Sequence, residues 1–381
     1  MSIELGSAVG FEGSHLQGEF TAAAQAPWVR VGDREALWKP SFYLAGIGSY
    51  LPPRVVDNDE AGAMAGMVPE RIKELFNIEE RRWVRMADSP WAAQGQSCGD
   101  LATRAAAAAL EDAGLRADEV DTLVVVTATP ERVSPPLDHF VRKGVGMGEV
   151  FGLTMHSACT GIFRAALVVE SLMAAQRSRV AVIVAANAIS PYLPFGDGVP
   201  KDLRMSGVLY GDAAAAIVVL KDAPELAAVE AVTVEATGIE ERPGIDFKGW
   251  VPPFTSGNGD RPPHQDAGYH DFRRVLANGS QLTRLAADAV LDRLGLGMDD
   301  PDLFLTHQAT GNLRRIAESV GLPSMKLPVN IRKVGNTIAP SILLLLDDLK
   351  RAGRLEAGQL LLLHTAESAT WTFGGMAVRW R

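Results

Sequence analysis

The sequence predicts an α/β fold in which a strand-and-helix pattern occurs twice. In residues 43–220, short apolar segments without alternation are followed by alanine-rich segments with helical periodicity. Strands of that kind are buried on both faces, which is typical of a mostly parallel sheet covered by helices. Residues 240–268 then carry five prolines among glycines and charges, the composition of a loop or an inter-half connection. Because the pattern restarts at Phe272, we expect an internally duplicated fold.

The first half begins after an N-terminal arm. Residues 1–40 have weak periodicity and carry no recognisable chemistry, so we interpret them as an appended arm. A strand that starts at Tyr43 runs into a Gly/Pro turn ending at Pro52, and Asp57 is suited to cap the next helix. The further elements predicted here are a helix over Cys98–Ala113 closed by Gly114, strands over Thr122–Ala128, Glu149–Met155 and Val180–Ala186, and an apolar segment over Ala213–Leu220.

The second half is predicted to repeat this order after the connection. On this basis the chain divides into the arm at residues 1–40, an N-terminal half at 41–225 and a C-terminal half at 226–381. The elements predicted in the C-terminal half are helices over Phe272–Leu294, Asn312–Val320 and Ser341–Arg351 and strands over Asp302–Thr306, Gln359–His364 and Gly375–Trp380.

Composition and charge argue against several classes of function. The chain has 381 residues, of which 47% are hydrophobic and 22% charged, as in an ordinary globular protein with a large core. Its net charge of −9 and the lack of a basic run argue against nucleic acid or an anionic membrane as the main partner. No apolar run approaches the roughly twenty residues of a membrane span. Because only two cysteines are present, Cys98 and Cys159, we expect no disulfide framework and a reducing, cytoplasmic setting. The spacing of the histidines and acids resembles no metal site, so we expect none.

Cys159 is the candidate nucleophile because it lies where an apolar strand meets a helix. Glu149–Met155 is the predicted strand, and Ile162–Gln176 is the predicted helix. A thiol at a helix start lies near the positive end of the helix dipole, which favours the thiolate. Small neighbours would let a substrate carbonyl approach the sulfur. The alternative is a buried structural cysteine, a common fate of free cysteine.

Three later stretches could complete a site around Cys159. His307 follows a predicted buried strand and precedes a helix, and the catalytic groups of α/β folds gather at such strand ends. It could act as a base or as a hydrogen-bond donor, or it could be a core histidine. Asn336 lies in a second such turn, where its amide could donate to a carbonyl oxygen, cap a helix or form a turn. The third stretch, residues 360–371, is a strand that enters a loop of small residues.

Together these stretches resemble the type III β-ketoacyl-acyl carrier protein synthases, which are condensing enzymes of the thiolase superfamily. The resemblance spans about residues 43–381. The matching motifs are an opening strand at 46–52, a nucleophile turn at 157–161, a Gly-Asp turn at 211–214, a histidine motif at 306–309 and an asparagine motif at 335–337.

The resemblance implies a fold, a site and a class of substrate. The fold would be a thiolase-like five-layered αβαβα sandwich of two duplicated halves, and the enzyme would be a homodimer, which would also cover a flat sheet edge. Cys159, His307 and Asn336 would form a triad that handles acyl transfer and decarboxylative condensation. The substrates would be thioesters of acyl carrier protein or coenzyme A, with no metal and no further cofactor. The candidate substrate-binding residues are Phe163, Gln308 and Trp371.

Two departures from the family pattern bear on the substrate. Arg71 and Leu75 stand where the family usually has the tryptophan and arginine that help to hold the coenzyme A adenine, which favours delivery by a carrier protein. The family's Gly-Gly-Gly run before the last strand is Ala366-Glu367-Ser368 here. That loop normally supplies an oxyanion-hole N–H, and the backbone of Ser368 is the candidate donor. These changes favour a relative specialised for a secondary metabolite over an initiator of fatty acid synthesis.

Three functions are compatible with these residues. The first is condensation of an acyl group on Cys159 with a malonyl- or β-ketoacyl-thioester, in polyketide, fatty-acid-type or secondary-metabolite biosynthesis. The second is transfer of the acyl group to a hydroxyl or an amine, with His307 as the general base. The third is a non-catalytic partner subunit of a heterodimeric synthase. Retention of the cysteine, histidine and asparagine favours the first, while the identity and length of the acyl chain are left open.

Overall fold

The computed structural model describes residues 40–88, 92–132, 134–196, 199–236, 242–247 and 268–381. The predicted N-terminal arm, apart from its last residue, and most of the predicted connection at residues 240–268 lie outside the described residues. The helices are α1 (Asn58–Ala65), α2 (Pro69–Phe76), α3 (Cys98–Ala113), α4 (Leu137–Val145), α5 (Gly161–Ala174), α6 (Lys201–Leu209), α7 (Phe272–Leu294), α8 (Leu313–Ser319), α9 (Ile331–Val334) and α10 (Ser341–Arg351). The strands are β1 (Phe42–Tyr50), β2 (Val55–Asp57), β3 (Glu80–Arg82), β4 (Thr122–Thr127), β5 (Phe151–His156), β6 (Val180–Asn187), β7 (Ala213–Leu220), β8 (Ala227–Ala236), β9 (Ile245–Phe247), β10 (Gly268–His270), β11 (Leu303–Thr306), β12 (Leu360–Glu367) and β13 (Thr372–Arg379).

The central sheet joins strands from both halves of the chain. Nine of the described strands are hydrogen-bonded in the order β11-β12-β13-β8-β1-β7-β6-β4-β5. The pairs β4–β5, β4–β6 and β11–β12 are parallel, and the other five neighbouring pairs are antiparallel. The expectation of a mostly parallel sheet is therefore wrong. A continuous apolar sequence indicates that both faces of a strand are covered, but it does not report the direction of the neighbouring strand.

Helices and sheet form five layers. α3 and α4 cover the outer face of β1 and β4–β7, whereas α7 and α8 cover the outer face of β8 and β11–β13. α5 and α10 lie between these two parts of the sheet and pack against both. The two parts are joined where Phe42–Leu44 of β1 pairs with Ala227–Val229 of β8, next to a bulge in β1. The five-layered αβαβα sandwich implied by the resemblance is confirmed.

The sequence of α10 fits its position in the middle layer. Its apolar run Leu343–Leu346 is buried on all sides, because strands of the sheet face the helix from both directions. A helix that is apolar around its whole circumference belongs inside a core. In the described part of the chain, no helix is both long and apolar enough to cross a membrane.

Gly46 and Gly48 allow β1 to pack closely on α3. A Cβ atom on either glycine would lie 2.4 Å from the backbone of Ala109, at its carbonyl oxygen or its nitrogen. Any larger residue would push the strand away from the helix. The glycines of the opening motif thus serve the contact between the sheet and its outer helix layer.

Candidate active site

Cys159 lies in the turn between β5 and α5, as the sequence predicts. α5 begins at Gly161, with Thr160 as its N-cap residue. A Cβ atom on residue 161 would lie 2.2 Å from Val126 Cγ1, so glycine is required for α5 to approach β4 this closely. Cys159 itself is partly exposed, which leaves its side chain within reach of a substrate.

His307 meets Cys159 from the other half of the chain. It directly follows β11, and its Nε2 lies 3.5 Å from Cys159 Sγ. The imidazole is buried, and burial lowers its pKa to about 4, so the ring is neutral at neutral pH. Its Nδ1 is buried without a hydrogen-bond partner among the described residues. A neutral imidazole beside a thiol can accept the proton of that thiol.

Gln308 fixes the backbone beside His307. Its Nε2 donates to the carbonyl oxygens of Thr306 and Pro328 at 3.0 and 3.3 Å, and its Oε1 accepts from Asn330 N at 3.1 Å. The residue is 1% exposed. Because its amide is engaged within the protein, Gln308 holds the histidine turn in place, and its substrate-binding role stays a prediction.

Two glycines bring Asn336 against the Gly-Asp turn of the first half. A Cβ atom on Gly211 would lie 2.0 Å from the carbonyl oxygen of Val334, and Gly335 has a φ of +72°, which favours glycine. Asn336 N donates to Leu209 O at 2.9 Å, and Gly211 N donates to Asn336 O at 3.0 Å. The asparagine turn is therefore held by the backbone of the half that carries Cys159.

The side chain of Asn336 is arranged to donate a hydrogen bond. Its Oδ1 accepts from Ile338 N at 2.9 Å and closes a turn, while its Nδ2 donates to none of the described residues. Helix capping is excluded, because Pro340 is the N-cap residue of α10. The backbone of Tyr210 is bridged to that of Asn336, and burial raises the pKa of the Tyr210 phenol, with a further contribution from nearby Cys159. Tyr210 is thus a neighbour of both Asn336 and Cys159.

Apolar side chains pack beside Cys159, and we call this group the Cys159 cluster. They come from α2, from α6 and the segment before it, and from the start of α7. An apolar surface next to a nucleophile suits an acyl group. Members of the cluster besides Cys159 include Phe76, Leu193, Phe195, Met205, Tyr210, Phe272 and Ile338.

The last loop contributes a buried acid, Glu367, that was not predicted as a site residue. Glu367 ends β12 and is 3% exposed. Its Oε2 accepts from the N and Oγ1 of Thr160 at 3.2 and 2.8 Å, and its Oε1 accepts from Thr370 Oγ1 at 2.9 Å. The carboxylate therefore binds the start of α5, one residue after Cys159. The sequence signal that could have indicated this role is an acidic residue in a loop where the family normally has a run of glycines.

Burial and Glu367 together change the expected charge of Cys159. Burial raises the pKa of the thiol, and the Glu367 carboxylate raises it further. The expectation that the helix dipole favours a thiolate is not met, because a carboxylate occupies the positive end of that dipole. The resting pair is a neutral thiol beside a neutral imidazole.

The other predicted site residues contact the core or neighbouring loops. The carbonyl oxygen of Ser368 accepts from Gly244 N at 2.9 Å, and no described contact joins Ser368 to the cysteine turn. Phe163 is fully buried in the core between the two parts of the sheet. Trp371 packs against α7, and its Nε1 donates to Arg242 O at 2.9 Å. The aromatic rings of Phe163 and Trp371 thus pack in the core, and their substrate-binding roles stay predictions.

The described residues offer no alternative cysteine nucleophile and no metal centre. Cys98 lies fully buried at the start of α3, with its Sγ 3.5 Å from both Thr127 Oγ1 and Ala186 O. Burial raises the pKa of its thiol to about 12. Within the described ranges, no group of three or more histidine, cysteine, aspartate or glutamate side chains could hold a metal ion.

Comparisons with known proteins point to one family. Residues 153–238 match the family model 3-oxoacyl-[acyl-carrier-protein] synthase III, and residues 291–380 match the model of its C-terminal part. The β-ketoacyl-[acyl-carrier-protein] synthase III of Cereibacter sphaeroides is 31% identical over 341 residues, which cover 88% of this chain and 98% of that protein. The solved structure of 3-oxoacyl-(acyl carrier protein) synthase III from Pseudomonas aeruginosa PAO1 gives a TM-score of 0.76 at 27% identity, covering 90% of this chain and 98% of that chain. A tetronic acid condensing enzyme gives a TM-score of 0.79 at 25% identity, covering 89% of this chain and 99% of that one.

Proposed function

We propose that this chain, which belongs to the β-ketoacyl-[acyl-carrier-protein] synthase III family of condensing enzymes, loads an acyl group onto Cys159 and joins it to a malonyl- or β-ketoacyl-thioester. The 3.5 Å contact between Cys159 Sγ and His307 Nε2 carries the proposal, because it pairs a nucleophile with a base across the two halves of the fold. Asn336 adds an amide donor that none of the described residues uses.

In the loading step, the Cys159 sulfur attacks the thioester carbonyl while the thiol proton moves to His307 Nε2. The tetrahedral intermediate then breaks its bond to the departing sulfur, which takes the proton from the imidazolium. The acyl group is again a thioester, now on Cys159, so it keeps its activation for the next step. His307 returns to its neutral form.

In the condensing step, His307 and Asn336 donate hydrogen bonds to the thioester carbonyl of the second substrate. When a malonyl-thioester loses carbon dioxide, an enolate forms, and the two donors stabilise the charge on its oxygen. The enolate carbon attacks the acyl carbonyl, forms the new carbon–carbon bond and expels the Cys159 thiolate, which takes up a proton from water. Loading leaves the neutral ring with its proton on Nδ1, so before this step His307 takes up a solvent proton on Nε2 and releases the Nδ1 proton to solvent.

We propose acyl carrier protein as the acyl donor. Arg71, which replaces the family's tryptophan, lies on α2 and pairs with Glu74 at 2.6 Å. Leu75, which replaces the arginine, packs beside the Cys159 cluster. Neither side chain offers the adenine contact of the residue it replaces. Loading that is much faster from acyl carrier protein than from coenzyme A would support this donor, and equal rates would contradict it.

We propose a homodimer formed through β5. This strand is the last of the nine-stranded sheet, and Phe151 at its start is 53% exposed. An exposed strand edge is prone to pair with another strand, and symmetric pairing is the commonest way to cover it. The dimer would then cover the edge strand that leads to Cys159.

We place the enzyme in polyketide or other secondary-metabolite biosynthesis. The changes at positions 71, 75 and 366–368 support this placement, since they remove the family's usual adenine contacts and its glycine loop. The likeness to a tetronic acid condensing enzyme at 25% identity points in the same direction.

Separate measurement of the two half-reactions tests the proposed function. Purified protein is first mixed with an acyl thioester and examined by intact mass, after which a malonyl-thioester is added and product and carbon dioxide are measured. Wild type and the control Cys98→Ala should gain one acyl mass, and Cys159→Ala should gain none. Asn336→Ala should still load but should condense about 10²-fold more slowly or worse, the scale of a lost oxyanion donor.

Three outcomes would overturn condensation. Acylation that persists in Cys159→Ala would remove the nucleophile. Release of the acyl group to an alcohol or an amine without a carbon–carbon product would favour simple acyl transfer. A wild-type protein that neither loads nor condenses would favour a non-catalytic subunit.

A further inference from the structure

Glu367 links the last loop of the C-terminal half to the nucleophile turn. Its carboxylate accepts from both the N–H and the hydroxyl of Thr160 and from the hydroxyl of Thr370. With 3% exposure the residue is shielded from solvent. The two carboxylate oxygens thus meet two hydroxyls and an N–H, all of which can donate hydrogen bonds to them.

No described cation pairs directly with this carboxylate. Thr370 Oγ1 lies 2.7 Å from Thr372 Oγ1, which accepts from Arg164 at 2.9 Å, so the guanidinium reaches Glu367 only through two hydroxyls. The other titratable groups that face Cys159 are the neutral imidazole of His307, from the loop after β11, and the phenol of Tyr210, after α6. Among the described residues, the Glu367 carboxylate is therefore bound by an N–H and two hydroxyls and by no cation.

We propose that Glu367 sets the protonation of Cys159, keeping the nucleophile as a neutral thiol until a thioester is bound. The inference rests on the proposed role of Cys159 as the nucleophile. Two effects act in the same direction. The carboxylate binds the N–H at the positive end of the α5 dipole, where an unopposed dipole would favour a thiolate. A like charge nearby also disfavours ionisation of the sulfur.

The arrangement makes the thiolate depend on His307. Because the free enzyme holds the proton on sulfur, the proton must move to His307 Nε2, 3.5 Å away, as the sulfur attacks the carbonyl. Small electrophiles and oxidants react with thiolates, so a neutral thiol is protected from them between turnovers. Glu367 acts on the reaction through Cys159 and Thr160 and is a positioning residue.

Alkylation of Cys159 without any thioester tests the proposal independently of the condensing activity. In a Cys98→Ala background, the rate of modification by iodoacetamide is followed by intact mass from about pH 6 to about pH 10, where the thiolate is the reacting species. Glu367→Gln removes the charge and keeps the size, and it should lower the midpoint of the rate profile by about one pH unit or more. Glu367→Asp retains the charge and should keep the midpoint near that of wild type.

A matched control comes from the first half of the chain. Glu131 Oε1 accepts from Gly99 N at 3.0 Å and so binds the start of another helix, α3, next to Cys98. Glu131→Gln removes a comparable helix-terminal charge and should leave the Cys159 profile unchanged. A general effect of removing a helix-capping acid would appear in both variants, whereas the proposed effect appears only in Glu367→Gln.

The result that overturns the proposal is a Glu367→Gln midpoint equal to or above that of wild type. Equal shifts in Glu367→Gln and Glu367→Asp would also overturn it, because geometry and not charge would then be the cause. If Glu367→Gln does not fold, Glu367→Ala takes its place, with the same downward shift of the midpoint expected and an unchanged midpoint overturning the proposal. A wild-type midpoint at or below the ordinary thiol value of about 8.5 would also contradict the proposal.

Discussion

Replacing Gly211 with alanine would test whether backbone contact between the two halves places Asn336. The new Cβ would lie 2.0 Å from the carbonyl oxygen of Val334 and 3.2 Å from its carbonyl carbon. Non-bonded heavy atoms pack best near about 3.5 Å, so the two turns must separate by about 1 Å or more. Val334 comes two residues before Asn336, and the shift therefore passes to the asparagine. A misplacement of about 1 Å can cost about 10²-fold in rate.

The two half-reactions report this shift separately. None of the described hydrogen bonds joins Gly211 to Cys159 or His307, so acyl-enzyme should form at close to the wild-type rate, whereas condensation should fall about 10²-fold. The crowding should also lower the free energy of unfolding by about 1–3 kcal/mol, which a thermal melt measures. Gly148→Ala is the matched control, because no atom lies within 4 Å of the Cβ that it adds.

Near-normal condensation by Gly211→Ala would refute the reasoning. It would mean that the asparagine turn does not depend on the Gly-Asp turn for its position, or that Asn336 is not a donor in the condensing step. A parallel loss of loading and condensation would instead place Gly211 in the general scaffold of the site.

Further predictions concern pH, the histidine turn and the sheet edge. Burial lowers the pKa of His270, His307 and His364 to about 3, 4 and 4, while the unfolded chain binds protons near 6.5. The free energy of unfolding should therefore fall by about 1.4 kcal/mol per histidine for each pH unit below about 6.5. Urea titrations in which the free energy of unfolding does not fall between about pH 6.5 and about pH 5 would contradict this prediction. Gln308→Leu removes the hydrogen bonds to Thr306, Pro328 and Asn330. It should lower the free energy of unfolding by about 1–3 kcal/mol and slow acyl loading. An unchanged thermal melt would exclude the positioning role. Phe151→Asp at the exposed edge of β5 should give a monomer by light scattering with little change in the melt, and a persistent dimer would place the interface elsewhere.

Local signals in the sequence placed several elements to the residue. The helix predicted at Cys98–Ala113 has those bounds, with Gly114 in the left-handed conformation as its C-cap, and α7 and α10 also have the predicted bounds. Caps, glycines and apolar periodicity act within one segment, so one segment is enough to read them. The directions of the strands were predicted wrongly, because β1 lies between β7 and β8, which are far away in sequence. Pairing of that kind is decided by packing between distant segments.

The site residues likewise fall into two groups, those that could be predicted from their own segment and those whose roles depend on residues of other elements. Cys159 and His307 could be proposed from sequence because each lies within three residues after a strand. The roles of Gln308 and Glu367 could not, since their partners Asn330 and Thr160 come from other elements. Residue type alone does not show whether an amide is already hydrogen-bonded to the backbone, so the contacts of Gln308 could not be predicted.

The distribution of these contacts implies that the site forms only when both halves are packed. Cys159, the proposed nucleophile, belongs to the first half, but His307 beside it and Glu367, which binds the start of its helix, belong to the second. In the other direction, Asn336 belongs to the second half, but its backbone is held by Leu209 and Gly211 of the first. Each half thus positions a functional group of the other, and α5 and α10 fix that relationship because both are packed between the two parts of the sheet. A loss of packing in this middle layer should therefore remove loading and condensation together, whereas changes at the Gly-Asp turn should separate them.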